Sequence, residues 1–160
     1  MKISTWNLNS INARIDHLVK FIKSDQSDIY LLQELKSIED NFPKIEIKNL
    51  GYHCYVNGQK AWNGVAILSK KELPIINTKI PYYNDENARF LETEIILSKI
   101  KQKKYALKNL NIDKRIDYFF TSELETLSYA HIDDRLDDNK HISDHLPIFI
   151  TIKIITAKKD

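Results

Sequence analysis

The segment DIYLLQE, residues 28–34, decides the fold of this chain. Its apolar residues are consecutive rather than alternate, which is typical of a strand that is buried on both faces. The segment ends in Glu34, and a carboxylate in that position is costly to bury unless it reaches water, a cation or a metal. The segment therefore predicts a central strand with a charged group at its end.

The residues before this segment complete a βαβ unit. Residues 2–8, KISTWNL, alternate as a strand does, and residues 9–25 repeat apolar side chains with a helical period. The two strands of such a unit are parallel and joined by a right-handed crossover, so both strands end at the same edge of the sheet. Asn7 ends the first strand, and we therefore expect it to lie near Glu34.

A second group of polar residues precedes the last apolar run, in HISDHLPIFI, residues 141–150. If that final strand runs antiparallel to the first, Asp144 and His145 come to the edge where the first two strands end. Together with Asn7 and Glu34 they would offer carboxylate and amide oxygens, which suit Mg²⁺ or Mn²⁺, and an imidazole that can contact a phosphate or transfer a proton. One histidine beside two acids is a poor set for zinc. Each residue alone is more often a solvated strand end, so the predicted metal site depends on their convergence.

Asp117 opens another apolar segment, RIDYFF, which we expect to be a strand. An acid at the start of such a strand has two interpretations. It forms a local ion pair with Arg115, or it holds the ring of His145 in one tautomer, as a carboxylate commonly does for a working histidine. The sequence alone leaves both open.

Two further regions carry candidate contacts for a nucleic-acid backbone. The segment GQKAWNGVAILSK predicts a hairpin with Gln59, Lys60, Trp62 and Asn63 at its tip, and Arg89 opens a later strand. A polar hairpin tip is usually an ordinary loop. The functional alternative is that these side chains contact phosphates, which fix the position of a protein on nucleic acid.

Length and composition bound the class of protein. The chain has 160 residues, of which 42% are hydrophobic and 29% are charged, so it suits one folded domain. Its net charge of +2 gives no decisive indication of a polyanionic partner. The single cysteine, Cys54, excludes an intrachain disulfide and fits a reducing compartment. No stretch is apolar for long enough to cross a membrane, so we expect a cytoplasmic protein with no membrane partner.

The remaining pattern is rich in strands and predicts an α+β domain. Residues 96–114 fit least well, because they show neither a period of two nor a helical stripe. We expect this stretch to join two β-rich halves. The sequence does not indicate an oligomeric state.

Five segments together resemble the endonuclease/exonuclease/phosphatase superfamily, and most closely its exonuclease III branch. They are KISTWNLNSINAR (residues 2–14), DIYLLQELK (28–36), NGQKAWNGVAILSK (57–70), RIDYFFTS (115–122) and SDHLPIFI (143–150). The resemblance implies a two-sheet αββα sandwich in shortened form, as a single domain over residues 1–157.

The resemblance also implies a role for each candidate residue. Glu34 is expected to be the principal Mg²⁺ ligand, with Asn7 supporting the metal site and Asp144 in the metal and phosphate site. His145 is expected to hydrogen-bond the scissile phosphate, with Asp117 orienting it. Mn²⁺ is expected to serve in place of Mg²⁺. The implied DNA contacts are Gln59, Lys60 and Arg89.

The departure from the family lies in the middle of the chain. Family members carry a long segment with an Asn-x-Tyr-x-Pro and a Gly-Asp-x-Asn motif, and this chain has only the junction at residues 96–114 in its place. The first interpretation is an exodeoxyribonuclease III-like, Mg²⁺-dependent DNA hydrolase of base-excision repair, impaired by that loss, which nicks duplex DNA at abasic sites and trims blocked 3′ ends. The alternative is a catalytically inactive remnant or a nucleic-acid-binding module. A third interpretation, ranked last, keeps the chemistry but acts on a phosphoinositide or another phosphate ester.

Overall fold

Two β-sheets and two helices form the described part of the chain. The computed structural model describes residues 1–80, 82, 84–96, 104–110, 125–131 and 148–153, and of the last three ranges it describes the backbone alone. The elements, in chain order, are β1 (Lys2–Asn7), α1 (Ile11–Asp25), β2 (Ile29–Gln33), a 3-10 turn (Glu39–Asn41), α2 (Lys44–Asn49), β3 (His53–Asn57), β4 (Val65–Ser69), β5 (Ile75–Asn77), β6 (Phe90–Ile96), β7 (Lys104–Leu110), β8 (Glu125–His131) and β9 (Ile148–Lys153).

The βαβ unit predicted from the sequence lies at the centre of the larger sheet. This sheet has the order β3-β4-β2-β1-β9-β8, and the smaller one has the order β5-β6-β7. β1 and β2 are parallel, with Asn7 opposite Gln33, which confirms the predicted unit. β9 runs antiparallel to β1, with Ile148 opposite Thr5, so the condition on which the predicted convergence depends is met for the strand direction.

The central strand is apolar at consecutive positions because it has a core on each face. On one face, Tyr30 and Leu32 are buried in a cluster with side chains of both helices. On the other face, Ile29 and Leu31 are buried in a cluster with Leu91 of β6, in the second sheet. The order of layers is therefore helices, six-stranded sheet, three-stranded sheet, which accounts for the uninterrupted apolar run.

The strands and helices confirm the α+β class predicted from the pattern, and the two sheets confirm the architecture implied by the family resemblance. The described residues supply three layers of the expected αββα sandwich. No helix within the described ranges combines the length and the apolar character needed to cross a membrane.

Part of the stretch from residue 96 to residue 114, which we expect to join two β-rich halves, forms a strand. The structure places β7 within it, paired antiparallel with β6 so that Phe90 is opposite Leu110 and Ile96 is opposite Lys104. Pairing of this kind is made by backbone groups, which need no side-chain period, and this is why the sequence pattern did not reveal the strand. The strand expected in RIDYFFTS, residues 115–122, lies outside the described residues.

Candidate functional site

The polar residues that end β1 and β2 meet at the edge of the six-stranded sheet. Asn7 is opposite Gln33 in the sheet register, which places Glu34 directly after the paired residues. The Nδ2 group of Asn7 donates a hydrogen bond of 2.9 Å to Oε1 of Glu34. The proximity expected from the βαβ topology is therefore confirmed. Asn7 is buried, whereas the side chain of Glu34 keeps 30% of its exposure.

The backbone around Glu34 forms a turn with left-handed conformations at residues that are not glycine. Glu34 and Lys36 both have left-handed conformations, with φ of 49° and 51°. Non-glycine residues rarely adopt this region, and they persist in it when surrounding contacts fix them. Here the first backbone donors of α1 supply those contacts. The N–H of Ser10 donates to the carbonyl of Glu34 at 2.8 Å, and that of Ile11 donates to the carbonyl of Leu35 at 3.0 Å.

Lys36 is a charged member of the site that the sequence interpretation missed. Its ammonium lies 3.2 Å from Oε2 of Glu34 and donates a 2.5 Å hydrogen bond to Oδ1 of Asn9. The N–H of Asn9 in turn donates to Oδ1 of Asn7 at 3.1 Å. The side-chain oxygen of Asn7 is thus engaged within the loop, so Asn7 orients the carboxylate of Glu34. The sequence feature that could have indicated the Lys36–Glu34 pair is the position of the lysine two residues after the carboxylate.

The donor atoms at this edge suit a hard divalent cation. The carboxylate of Glu34 is partly exposed and oxygen-bearing, and Mg²⁺ typically binds through one or two carboxylates while keeping several waters. Among the described residues, no group of three or more His, Cys, Asp and Glu could hold a metal. The described part therefore supplies one carboxylate with its supporting amide, which fits a site that is completed by further oxygen ligands.

The predicted partners of Glu34 near the end of the chain lie outside the described residues. They are Asp117, Asp144 and His145. The structure does place the start of β9, at Ile148, opposite Thr5 of β1. The strand that follows Asp144 and His145 in sequence therefore begins near the edge that carries Asn7.

The β3–β4 hairpin is fastened to the turn that carries Glu34. The N–H of Leu35 donates to the carbonyl of Gly64 at 3.1 Å, and the N–H of Lys36 donates to the carbonyl of Asn63 at 3.0 Å. At the other side of the loop, a Cβ on Gly58 would lie 2.6 Å from the carbonyl oxygen of Ser37, so only glycine fits there. The hairpin tip and the Glu34 turn therefore form one packed unit.

Three of the side chains predicted at the hairpin tip differ in their surroundings. Gln59 is engaged within the protein, because its Oε1 accepts the N–H of Ala88 at 2.9 Å and its Nε2 donates to Asn87 at 3.2 Å. Lys60 is exposed. Trp62 keeps 70% of its exposure, and its ring centroid lies 5.8 Å from the ammonium of Lys36. Gln59 thus connects the hairpin to the segment before β6, a role that its polarity alone did not predict.

Arg89 lies beside an acidic loop. Its Nε is 3.6 Å from Oδ2 of Asp85, and both side chains are mostly buried. Hydrogen bonds from the backbone and side chain of Asn87 lower the pKa of Asp85, and the charge of Arg89 adds to that effect. Asp85 therefore stays ionised as the local counter-charge of Arg89.

Comparison with known proteins identifies a family for most of the described part. The model of the Endonuclease/Exonuclease/phosphatase family matches residues 4–104. Exodeoxyribonuclease III of Haemophilus influenzae is 38% identical over 86 residues, which make up 54% of this chain and 32% of that protein. The chain thus matches about a third of the length of this curated relative.

Solved structures agree with this comparison. A 3′-5′ exonuclease (NExo) from Neisseria meningitidis has a TM-score of 0.58 and 36% identity, over 61% of this chain and 38% of that one. An AP endonuclease from Archaeoglobus fulgidus has a TM-score of 0.57 and 32% identity, over 59% of this chain and 37% of that one. D. rerio TDP2, complexed with a single-strand DNA product, has a TM-score of 0.62 over 96% of this chain at 13% identity, which is a likeness of fold alone.

Proposed function

The chain belongs to the Endonuclease/Exonuclease/phosphatase family, and from that premise we propose that it is an exodeoxyribonuclease III-like, metal-dependent hydrolase of DNA phosphodiesters. The expected substrates are duplex DNA with an abasic site or with a blocked 3′ end. The observation that carries the proposal is the hydrogen bond from Asn7 to Glu34 at the shared end of β1 and β2. The names of the relatives support DNA as the substrate, since they include an exodeoxyribonuclease, a 3′-5′ exonuclease and an AP endonuclease.

The proposed metal is Mg²⁺, or Mn²⁺ in its place, held by Glu34 and Asp144. When bound, such an ion supplies Lewis-acid polarisation of the phosphate and a favourable field for the charge that develops on it. The contribution of Asn7 is to fix the rotation of the Glu34 carboxylate through its 2.9 Å hydrogen bond. A supporting group of this kind typically changes metal affinity or activity by about 10- to 100-fold.

The remaining roles concern the phosphate and the DNA backbone. We propose that His145 donates a hydrogen bond to the scissile phosphate and that Asp117 holds its ring in the required tautomer. Lys60 is exposed at the hairpin tip, where its ammonium can reach a phosphate. We also propose that Gln59 and Arg89 contact DNA. They would do so through atoms other than Oε1 of Gln59 and Nε of Arg89, which already have partners within the protein.

The cellular location that we propose is the cytoplasm. Cys54 is the single cysteine of the sequence, so no intrachain disulfide can form. Burial raises the pKa of its thiol to about 11, which keeps the thiol protonated and unreactive at neutral pH. A thiol of this kind is at home in a reducing compartment.

A second candidate function is binding of nucleic acid without hydrolysis. None of the three glycines is followed by aspartate, so the Gly-Asp-x-Asn motif of the family is missing. General acid–base assistance typically contributes about 10²- to 10⁴-fold to a rate, and its loss would leave a weak enzyme or a binding module. The two functions differ in whether DNA is cut or only retained.

The test is Mg²⁺-dependent nicking of duplex DNA that carries one abasic site, with EDTA as the metal-free control. Glu34→Gln should lower the rate by about 100-fold or more, because it removes the carboxylate charge. Asp144→Ala should have a similar effect. The matched control is Glu39→Gln, which alters an exposed carboxylate paired with Lys44 in the following turn and should leave the rate unchanged.

The outcomes separate the two functions. Nicking by the Glu34→Gln variant at the unaltered rate would contradict the proposed hydrolase. Retention of DNA without nicking, by a chain that unfolds cooperatively, would favour the binding module.

A further inference from the structure

Lys36 is a cation placed at the carboxylate to which the proposed function assigns a metal. Its ammonium is 3.2 Å from Oε2 of Glu34, is hydrogen-bonded to Oδ1 of Asn9 at 2.5 Å and lies 5.8 Å from the ring centroid of Trp62. Asn7 occupies the other oxygen, Oε1, at 2.9 Å. Both oxygens of Glu34 therefore have a partner within the protein, and one of those partners carries a positive charge.

This geometry sets up a competition for Glu34. The charge of Lys36 offsets that of Glu34, and a divalent ion at Oε2 would meet a like charge a few ångströms away. The ammonium of a lysine sits on a flexible four-carbon stem, so it can leave the carboxylate without a change in the backbone. The hydrogen bond that the side-chain amide of Asn7 donates to Oε1 does not oppose the ion in this way, because the amide carries no net charge.

The surroundings of Lys36 determine which other residue is affected when its ammonium leaves Glu34. Its backbone N–H is hydrogen-bonded to the carbonyl of Asn63, so the main chain of the turn is fixed to the hairpin. The ammonium of the side chain also contacts Asn9 and lies near the exposed ring of Trp62. A departure of the ammonium from Glu34 therefore changes the electrostatic environment of Trp62.

We propose that Lys36 and a divalent cation compete for the carboxylate of Glu34, and that occupation by the cation is transmitted to Trp62 at the hairpin tip. This inference rests on the proposed function only in that a cation binds at Glu34. Lys36 is then a positioning residue. It holds the carboxylate in place while the cation is absent, and it lowers the affinity of the site for that cation.

The first test measures Mn²⁺ binding to the full chain by counting free Mn²⁺ with electron paramagnetic resonance. Lys36→Met should bind Mn²⁺ about three- to tenfold more tightly than the unaltered chain, because a like charge has been removed while the stem is kept. Lys36→Arg keeps the charge and should stay within about twofold of the unaltered chain. The matched control is Lys44→Met, which removes a lysine whose carboxylate partner, Glu39, lies outside the site, and its affinity should not change.

The second test needs no change at Lys36. Titration of the unaltered chain with Mg²⁺ should give a saturable change in tryptophan emission, which Trp62→Phe abolishes although the buried Trp6 remains. Glu34→Gln should abolish it as well. Equal or weaker Mn²⁺ affinity in Lys36→Met, absence of Mn²⁺ binding, or an emission change that survives Trp62→Phe would each overturn the inference.

These results are distinguishable from failure of the proposed function. A chain that shows the competition but cuts no DNA would refute the hydrolase and leave the inference standing. A chain that nicks DNA with Mg²⁺, while Lys36→Met leaves the affinity unchanged, would refute the inference alone.

Discussion

The two ends of the βαβ unit each carry a lysine paired with a carboxylate, and the pairs are built differently. At the carboxyl end, Lys36 and Glu34 are 3.2 Å apart and both remain partly exposed. At the amino end, Lys2 and Asp25 are 2.5 Å apart, and the side chain of Asp25 keeps 4% of its exposure. Both ends therefore have an ion pair, and they differ in how exposed the carboxylate is.

Asp25 is saturated by donors. Besides Lys2, it accepts hydrogen bonds from the hydroxyl of Ser4 at 3.0 Å and from that of Ser27 at 2.5 Å. Burial alone would raise the pKa of Asp25, but the hydrogen bonds and the charge of Lys2 outweigh burial and lower it. A carboxylate with this many donors is structural, whereas Glu34 has one amide and one lysine ammonium as partners. The comparison shows that the number of donors and the remaining exposure, rather than the ion pair, indicate where a ligand can bind.

The largest expected effect is on stability at the amino end. Asp25→Ala should lower the free energy of unfolding by about 3 kcal/mol, because it leaves Lys2, Ser4 and Ser27 without their shared acceptor. Urea denaturation monitored by circular dichroism measures this change. Glu39→Ala, in an exposed pair, should cost less than about 0.5 kcal/mol. If the two variants lost equal stability, the distinction between a saturated and an open carboxylate would fail.

Smaller effects, on the nicking rate or on stability, are expected from substitutions at the two ends of β1. Asn7→Ala should lower the nicking rate about 10- to 100-fold, since Glu34 loses the donor that orients it. Ser4→Ala, on the same strand at the amino end, should lower stability by about 1 kcal/mol and leave the rate unchanged. Single-turnover cleavage and urea denaturation of both variants check the crossed pattern. A rate loss in Ser4→Ala as large as that in Asn7→Ala would refute it.

The smallest effect is the dependence of stability on pH. The pKa of Asp25 is lower in the folded chain than in the unfolded one, so its contribution is fully present above the ordinary carboxyl pKa and is lost as pH falls through the folded value. Asp25→Asn, which cannot ionise, should therefore show a shallower loss of stability in acid than the unaltered chain. Thermal unfolding between neutral and acidic pH measures the two slopes. Parallel slopes would mean that other groups govern acid unfolding.

The sequence predicted which residues meet at the carboxyl end of the βαβ unit, because the strand ends and the crossover rule together determine it. Consecutive apolar residues placed β2 between two cores, and the parallel pairing of β1 and β2 then brought Asn7 to Glu34. These are consequences of topology and periodicity, and both can be read from residues close together in the chain. The direction of β9 was only a condition of the sequence argument, and the structure supplies it.

What the sequence did not predict depends on contacts between distant residues. The left-handed conformations of Glu34 and Lys36 are imposed by hydrogen bonds from α1 and to the β3–β4 hairpin, and neither residue type favours them. The hydrogen bond that Gln59 accepts from the N–H of Ala88, 29 residues away, was likewise not predicted. The Lys36–Glu34 pair was overlooked for a related reason: two nearby charges in a sequence face each other only if the turn between them is known.

The position of β9 has a consequence for the order in which the chain is made. β9 lies between β1 and β8, so the strand nearest the start of the chain has one side that is completed by a strand near its end. At ribosomal speeds of about 5–20 residues per second, roughly 7 to 30 seconds separate the synthesis of these two strands. During that interval β1 can pair with β2 while its other edge stays open, which is a template for pairing with another nascent chain. Pairing of β9 with β1 is therefore a late step in the folding of each chain. A chaperone or fast translation would raise the yield of folded protein.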